Sequence, residues 1–552
     1  MFYNLRLLRN LRINNVFCFL EICGLIGGFS SHASASPPTL TYLYPAGAQR
    51  GTTTDITAAG TFGSWPVKVW ASGNGVSVTT GKEKGKLTVT VALDAVPGVY
   101  WLRAYNADGA SGGRPFIIGM LPEVMEKEPN DDWKKPQVLD RSSVTVNGRL
   151  EKAGDVDCFA VTLKKGQTLV GSLEANHTLK SPMDGMLQIL SIDGFVLDQN
   201  NDFHGLDPQL AFTVPKDGTY IARIFAFPAS PDASIRFAGA DTYVYRLTLT
   251  TDWFADFAFP LAIERAKGQH RIELAGWNTP NESKELPIEP TTTDTHFLTV
   301  FNPKLANTIR LRVEPHPTFG LPKVEKPLSP PFSVTGRIEK TGGEALISLL
   351  GKKGQSLTIQ AESQEFGLAV NPVIRILDHD KKQLARGEPS KLHADTSLAF
   401  TPSIDGTYTI AVSDLYAGGG PRHAFLLRVL SSEADYDLSV TTDRFTIVPG
   451  KPTSIPVKIT RKNGFTKSVE VLAEGLPDGV KLEVTTPAKP DPGTVTLSLT
   501  AEKPVSGSFR LIGKVKDEPK LMRTAHAPLT EFEDTTSDLW LTVTSSASPP
   551  KK

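Results

Sequence analysis

The sequence predicts an all-β chain, a tandem array of β-sandwich domains, and three observations predict it. The first is an internal repeat. Gly148-Arg149-Leu150-Glu151-Lys152 returns as Gly336-Arg337-Ile338-Glu339-Lys340, and Lys164-Lys165-Gly166-Gln167 returns as Lys352-Lys353-Gly354-Gln355. Leu210-Ala211-Phe212-Thr213 returns as Leu398-Ala399-Phe400-Thr401, and Asp217-Gly218-Thr219-Tyr220 as Asp405-Gly406-Thr407-Tyr408, every pair 188 residues apart. A repeat of that length is a domain-sized unit rather than a short solenoid module. The second is alternation of apolar and polar residues in short runs closed by turn formers, the pattern of strands with one buried face. The third is composition: 41 Pro and 46 Gly with few helix-favouring runs, in 552 residues that could hold roughly three to five domains.

Lys+Arg and Asp+Glu number 59 each. That balance argues against nucleic acid or an anionic membrane as partner, since both reward a basic excess. Residues 1–35 read as a cleaved secretion signal. Arg6, Arg9 and Arg12 precede the mostly apolar Val16–Phe29, and Ala33-Ser34-Ala35 supplies the small-residue cleavage site. Glu21 interrupts the apolar run and leaves an N-terminal membrane anchor open as the other reading. Cleavage removes Cys18 and Cys23, leaves Cys158 alone, and excludes an intramolecular disulfide, so each domain must be held by its own core. Cys158, in the strand-like Asp157-Cys158-Phe159-Ala160-Val161, is expected to be a buried small apolar residue. No later stretch approaches the roughly 18 apolar residues of a membrane span.

Taken in order, 38–119 reads as strand after strand, with Val67-Lys68-Val69-Trp70 and Leu87-Thr88-Val89-Thr90-Val91 alternating and Pro97-Gly98 turning before Val99–Tyr105. A compact sandwich fits that pattern. The polar stretch 120–135 is a boundary, and a long unit, 126–250, ends in the alternating Tyr243–Leu249. Residues 253–330 echo the first unit faintly: Tyr44-Pro45 and Arg50 recur as Phe259-Pro260 and Arg265, an offset of 215. A small sandwich followed by a long one is thus repeated as a pair, the second long unit being 331–432 beyond a Pro-rich link, Pro315–Pro331. The tail, 433–545, has about seven strand-like runs, the usual count of an immunoglobulin-like sandwich. The predicted array therefore mixes immunoglobulin-like and jelly-roll-like sandwiches.

The strongest candidate for chemistry is acidic. Glu128-Pro129-Asn130-Asp131-Asp132 precedes the first long unit, and Asp155-Val156-Asp157 lies early within it. If that stretch is extended, Asp155 and Asp157 face one side, and their repulsion calls for a cation. Calcium takes six to eight oxygens from carboxylates, amides and carbonyls, and Glu128, Asn130, Asp131, Asp155 and Asp157 have that character. The alternatives are a turn at Gly154-Asp155 with one carboxylate facing a pocket, or a solvated acidic linker. At the fixed offset, Gly343 and Ala345 replace the two aspartates and His316–Gly320 replaces the acidic window, so the acids belong to the first copy alone.

Other motifs read as structure. Asp217-Gly218 and Asp405-Gly406 predict tight hairpin turns, with the following tyrosine packed on the core. Gly109-Ala110-Ser111-Gly112-Gly113 matches a nucleophile elbow in letters but lies between strands with no helix following. The ten histidines form no zinc-spaced pair. An exposed tryptophan among Trp65, Trp70, Trp101, Trp133, Trp253, Trp277 and Trp540 would offer a sugar-stacking face, although such rings more often fill cores.

Glu128-Pro129-Asn130-Asp131, Gly148-Arg149-Leu150, Gly154-Asp155-Val156-Asp157-Cys158-Phe159, Lys165-Gly166-Gln167 and Asp217–Tyr220 together resemble the bacterial pre-peptidase C-terminal (PPC) domain family, a β-sandwich module. Cys158 stands where that family usually has an aromatic. Residues 331–432 resemble a second copy without the acids. Residues 38–119 look like an IPT/TIG-type immunoglobulin-like domain, with 253–330 a weaker relative. The tail resembles bacterial surface immunoglobulin-like domains through Gly475-Leu476-Pro477-Asp478-Gly479-Val480. The resemblance implies a secreted, periplasmic or cell-surface protein of a kind that often accompanies a peptidase. It also implies calcium at Glu128, Asn130, Asp131, Asp155 and Asp157, as in related collagenase modules. No peptidase domain is recognisable. The expected function is therefore non-catalytic binding or scaffolding of an extracellular protein or polysaccharide. An accessory or inhibitory partner of an extracellular peptidase, and a glycan or protein hydrolase with an acidic site, are the alternatives.

Overall fold

The computed structural model describes residues 36–230, 236–265, 270–279, 285–288, 296–321, 326–391, 394–485 and 493–545; the expected signal, 1–35, lies outside them. Among the described residues the strands pair into five successive two-sheet sandwiches, so the chain is an all-β tandem array. The first joins Tyr42–Tyr44, Thr53–Ala59, Lys86–Val91 and Val76–Thr80 in one sheet and Gly47–Gln49, Arg114–Gly119, Gly98–Asn106 and Lys68–Ala71 in the other. Its alternating residues Leu87, Val89, Leu102, Phe116 and Ile118 meet in the core, as strand periodicity dictates.

The second sandwich has two five-stranded sheets. One runs Glu123–Met125, Val144–Arg149, Val244–Thr250, Thr168–Glu174, Gln209–Thr213, and the other Gln137–Val138, Asp157–Leu163, Gly218–Pro228, Met183–Leu190, Val196–Asn200. The fourth sandwich repeats it. Phe332–Arg337 occupies the place of Val144–Arg149, and Glu344–Gly351 that of Asp157–Leu163. The third has two three-stranded sheets between Phe254 and Glu314, and the fifth holds the tail strands from Asp435–Ser439 to Leu539–Val543.

Two expectations are corrected by the pairing. Thr318–Gly320, expected inside 253–330, pairs in parallel with Phe332–Arg337 and belongs to the fourth sandwich, just as Glu123–Met125, expected in the boundary, belongs to the second. Asp217-Gly218 is not a hairpin turn: the strands on either side of it lie in opposite sheets. Asp217 instead accepts the Lys165 N–H at 2.7 Å, Asp405 accepts the Lys353 N–H at 2.6 Å, and Tyr220 and Tyr408 donate to the carbonyls of Lys216 and Ile404. The repeated letters thus record a crossing between sheets. Ser111 is buried, its hydroxyl donates to the Gly112 carbonyl, and no helix follows it.

The sandwiches are joined by contacts that also repeat. Arg149 lies over the Tyr44 ring at 4.9 Å, and Arg337 over Phe259 at 5.2 Å, so the small-then-long pair is one docked unit made twice. The fifth sandwich packs on the first. Arg103 and Asp443, both nearly inaccessible, form an ion pair at 2.5 Å, Trp540 lies against Trp70 and Tyr105, and Trp101 meets Phe532 edge to face. Of the seven tryptophans Trp540 is buried and the other six are half-buried.

Burial decides which junction contacts matter. Removing one partner of a buried pair strands the other charge, at about 3–5 kcal/mol, whereas an exposed pair contributes about 1 kcal/mol or less. Asp443→Ala is therefore expected to lower the apparent melting temperature and open the first–fifth junction to limited proteolysis. Glu531→Gln, which cuts the Arg114 pair from its half-exposed side, should change neither appreciably.

Candidate metal centre

The acidic segment is held against the second sandwich before its side chains are considered. The Cys158 N–H donates to the Asn130 carbonyl at 3.1 Å. Trp133 packs on Cys158, Ala160, Leu190 and Ile221, an apolar patch on the outer face of the sheet. Cys158 is fully buried, and burial pushes its thiol up to about 12, so it is a packing residue and not a nucleophile.

Two groups of oxygens result. Glu126, Glu128 and Asp157 offer atoms within 4.8 Å of one another, as do Glu128, Asp131 and Asp155, so Glu128 bridges them. Asn130, 1% exposed, is tied to Glu128 through its own N–H at 2.9 Å. Asp155 and Asp157 are wholly buried, while Glu128 and Asp131 are exposed, which gives the site a closed floor and an open rim.

Asp155 does not share a strand with Asp157. It follows the turn at Gly154, whose φ of 88° suits glycine, and the strand begins at Asp157. The two carboxylates nonetheless converge. Asp155 accepts the Glu151 N–H, and Asp157 accepts the Tyr245 hydroxyl at 2.5 Å. Glu126 accepts the Arg149 N–H at 2.7 Å.

Four buried oxygens remain without a hydrogen bond: Glu126 Oε1, Asn130 Oδ1, Asp155 Oδ1 and Asp157 Oδ1. Asp155 Oδ1 has only Lys152 Nζ, at 4.0 Å. Burial and mutual repulsion push Glu126 up to about 7, Asp155 up to about 6, and Asp157 well above the carboxylate range. An all-oxygen set with no His or thiolate, carrying unmet acceptors, fits a hard cation of the calcium type. Glu126, Glu128, Asn130, Asp131, Asp155 and Asp157 would hold it, and its charge would keep the carboxylates ionised.

Glu126 and Tyr245 are absent from the residues expected from sequence. The period-two spacing Glu126-Lys127-Glu128 was the available signal for the first, and Tyr245 carried none. Nor does the copy-to-copy comparison hold at a fixed offset. Thr318–Gly320 takes the place of Glu123–Met125, so His316–Gly320 is not the counterpart of Glu128–Asp132. That counterpart falls within 321–331, partly outside the described residues. Elsewhere the correspondence is firm. Leu321 donates its N–H to Thr335 as Glu126 does to Asn147, Phe425 faces Gly336 as Tyr245 faces Gly148, and Ala345 stands at the place of Asp157. The fourth sandwich has the same backbone and an apolar residue at each of these positions.

Two outcomes follow. Without a cation, these acids bind protons more tightly folded than unfolded, so stability falls as pH rises from about 4 through about 7. With saturating calcium, about a hundred times its Kd, the chain gains about 2.7 kcal/mol at neutral pH, and that gain shrinks as acid displaces the ion. Thermal unfolding at several pH values, with calcium and with chelator, checks both signs. Replacing the set by its fourth-sandwich counterparts (Glu126→Leu, Asp155→Gly, Asp157→Ala, Tyr245→Phe) should abolish the calcium response. It should leave the chelated protein as stable or about 1–4 kcal/mol more stable.

Comparisons with known proteins give limited likeness. No protein-family model matches the chain. Over 105 residues, 19% of this chain and 14% of the relative, it is 29% identical to a probable subtilase-type serine protease of Deinococcus radiodurans, so it matches only a small part of that curated protein. Among solved structures, a periplasmic inhibitor of g-type lysozyme from Aeromonas hydrophila aligns with 23% of this chain and 97% of its own, at 12% identity and TM-score 0.16. Domains 1–6 of the surface layer protein SbsC align with 94% of this chain and 55% of theirs, at 11% identity and TM-score 0.16. At such scores neither structure bears on function.

Proposed function

We propose that the chain is a non-catalytic, extracellular or envelope-associated binding and scaffold protein whose first two sandwiches are held together by calcium. Its location would be secreted, periplasmic or cell-surface, and its ligand an extracellular protein or polysaccharide. The observation that carries this reading is the crowding of the acids. Their oxygens lie within 4.8 Å of one another in each group, around a shared Glu128. Glycosidase carboxylates instead stand roughly 5–9 Å apart with the scissile bond between them. Oxygens this close within each group suit a bound ion better than a flanked scissile bond.

The site also touches the junction. Burial, together with the charges of Glu126 and Asp157, raises the phenol of Tyr44 in the first sandwich. Arg149, whose N–H serves Glu126, lies over the same ring. No helix among the described residues is long and apolar enough to cross a membrane.

A second reading, an accessory or inhibitory partner of an extracellular peptidase, is favoured by the 105-residue likeness to a subtilase-type protease. The two long sandwiches would on either reading be PPC-like modules.

Binding of the immobilised chain, in calcium, to a purified subtilase-type peptidase and to envelope polysaccharide tests the proposal. Retention of either without turnover is expected. Hydrolysis of casein or glycan by the purified chain, lost in Asp157→Asn, would replace it with the hydrolase alternative.

A further inference from the structure

Four sandwiches meet around one cavity of about 330 Å³, which no single sandwich could enclose. Val99 comes from the first, Glu174, His204, Gln209 and Arg246 from the second, Phe257 from the third, and Phe366 from the fourth. The volume lies at the lower end of small-molecule sites, roughly 300–1,000 Å³.

Its charges are unevenly matched. Arg246, 3% exposed, directs both terminal nitrogens to Glu123 at 2.8 Å; it stands opposite Glu174 on the paired strand and attracts that acid, but without forming an ion pair with it. The Glu174 carboxylate has neither an ion pair nor a hydrogen bond among the described residues. The fourth sandwich provides the contrast: Glu362, 188 residues on, is paired at 3.1 Å with both Arg312 and Arg428. The same position carries two ion pairs in the fourth sandwich and, among the described residues, none in the second. A half-buried carboxylate that lacks an ion pair is costly to desolvate, and a ligand cation would add to the partial compensation from Arg246.

Donors are also left over. Gln209, 3% exposed, lines the cavity with its Nε2 unbonded, and Arg246 Nε is unbonded as well. Both call for an oxygen acceptor.

We propose that this cavity binds a small cationic amine carrying hydroxyl oxygens, its ammonium on Glu174 and an oxygen on the Gln209 amide. The apolar body of the ligand would rest on Phe257 and Val99. Because the walls come from four sandwiches, occupancy would also tie them together.

Calorimetric titration of the full chain with glucosamine and 1,3-diaminopropan-2-ol, each beside its neutral twin glucose or glycerol, tests this. At least one amine should bind about tenfold or more tightly than its twin, the scale of one charge-assisted hydrogen bond. Glu174→Gln should remove that preference, and Gln209→Met should weaken amine binding while keeping it. Equal binding of twins, or no saturable amine binding by the wild-type chain, would overturn the assignment and leave a water-filled gap between sandwiches. The twin comparison needs no variant, so misfolding of either substitution does not obscure the result.

Discussion

A β-sandwich buries one face of each sheet, and a chain of sandwiches must then decide what covers the outer faces. Here the decision falls on adjacent residues of one strand. Alternation along Val144–Arg149 turns Gly148 inward and Arg149 outward. A Cβ at Gly148 would overlap the Tyr245 ring, and one at Gly336 the Phe425 ring, so glycine lets an aromatic close the core. The next side chain reaches the preceding sandwich and lies over Tyr44 or Phe259. Core closure and inter-sandwich docking are therefore set by one dipeptide, used twice.

That coupling explains why some of the architecture was legible and some was not. Gly-Arg, Lys-Gly-Gln and Asp-Gly-Thr-Tyr return at constant spacing because each meets a local demand: an aromatic closure, a turn, a crossing between sheets. The segments between these landmarks keep equal lengths, every pair standing 188 residues apart. Outside that frame the spacing drifts. The link before Phe332 is seven residues shorter than its counterpart before Val144, and the link before Ala424 is eight shorter than that before Val244. A fixed offset slides past Glu126 and Tyr245 for that reason, and it set the acidic window against the wrong residues.

Another repeated device escaped notice because it has no pattern around it. Asp207 accepts the N–H groups of Ala175, Asn176 and His177, and Asp395 those of Ser363, Gln364 and Glu365. One aspartate on a distant loop supplies the acceptor that a single helical turn lacks at its start. Only pairing between strands, not composition or periodicity, brings such residues together. The convergence of the acids was legible for the opposite reason: their oxygens come from two short segments, each dense in acid.

The two copies also separate what the fold requires from what the site requires. At matched positions one sandwich holds Glu126, Asp157 and Tyr245 and the other Leu321, Ala345 and Phe425, with the strand registers unchanged. Apolar side chains meet every demand of the core there. Buried carboxylates meet none of them more cheaply, since desolvation usually exceeds what their pairing returns. The docking aromatic differs in the same way, a phenol (Tyr44) under Arg149 and a plain ring (Phe259) under Arg337. The polar set is dispensable to the sandwich, and the cation proposed for it would give its unmet oxygens a partner.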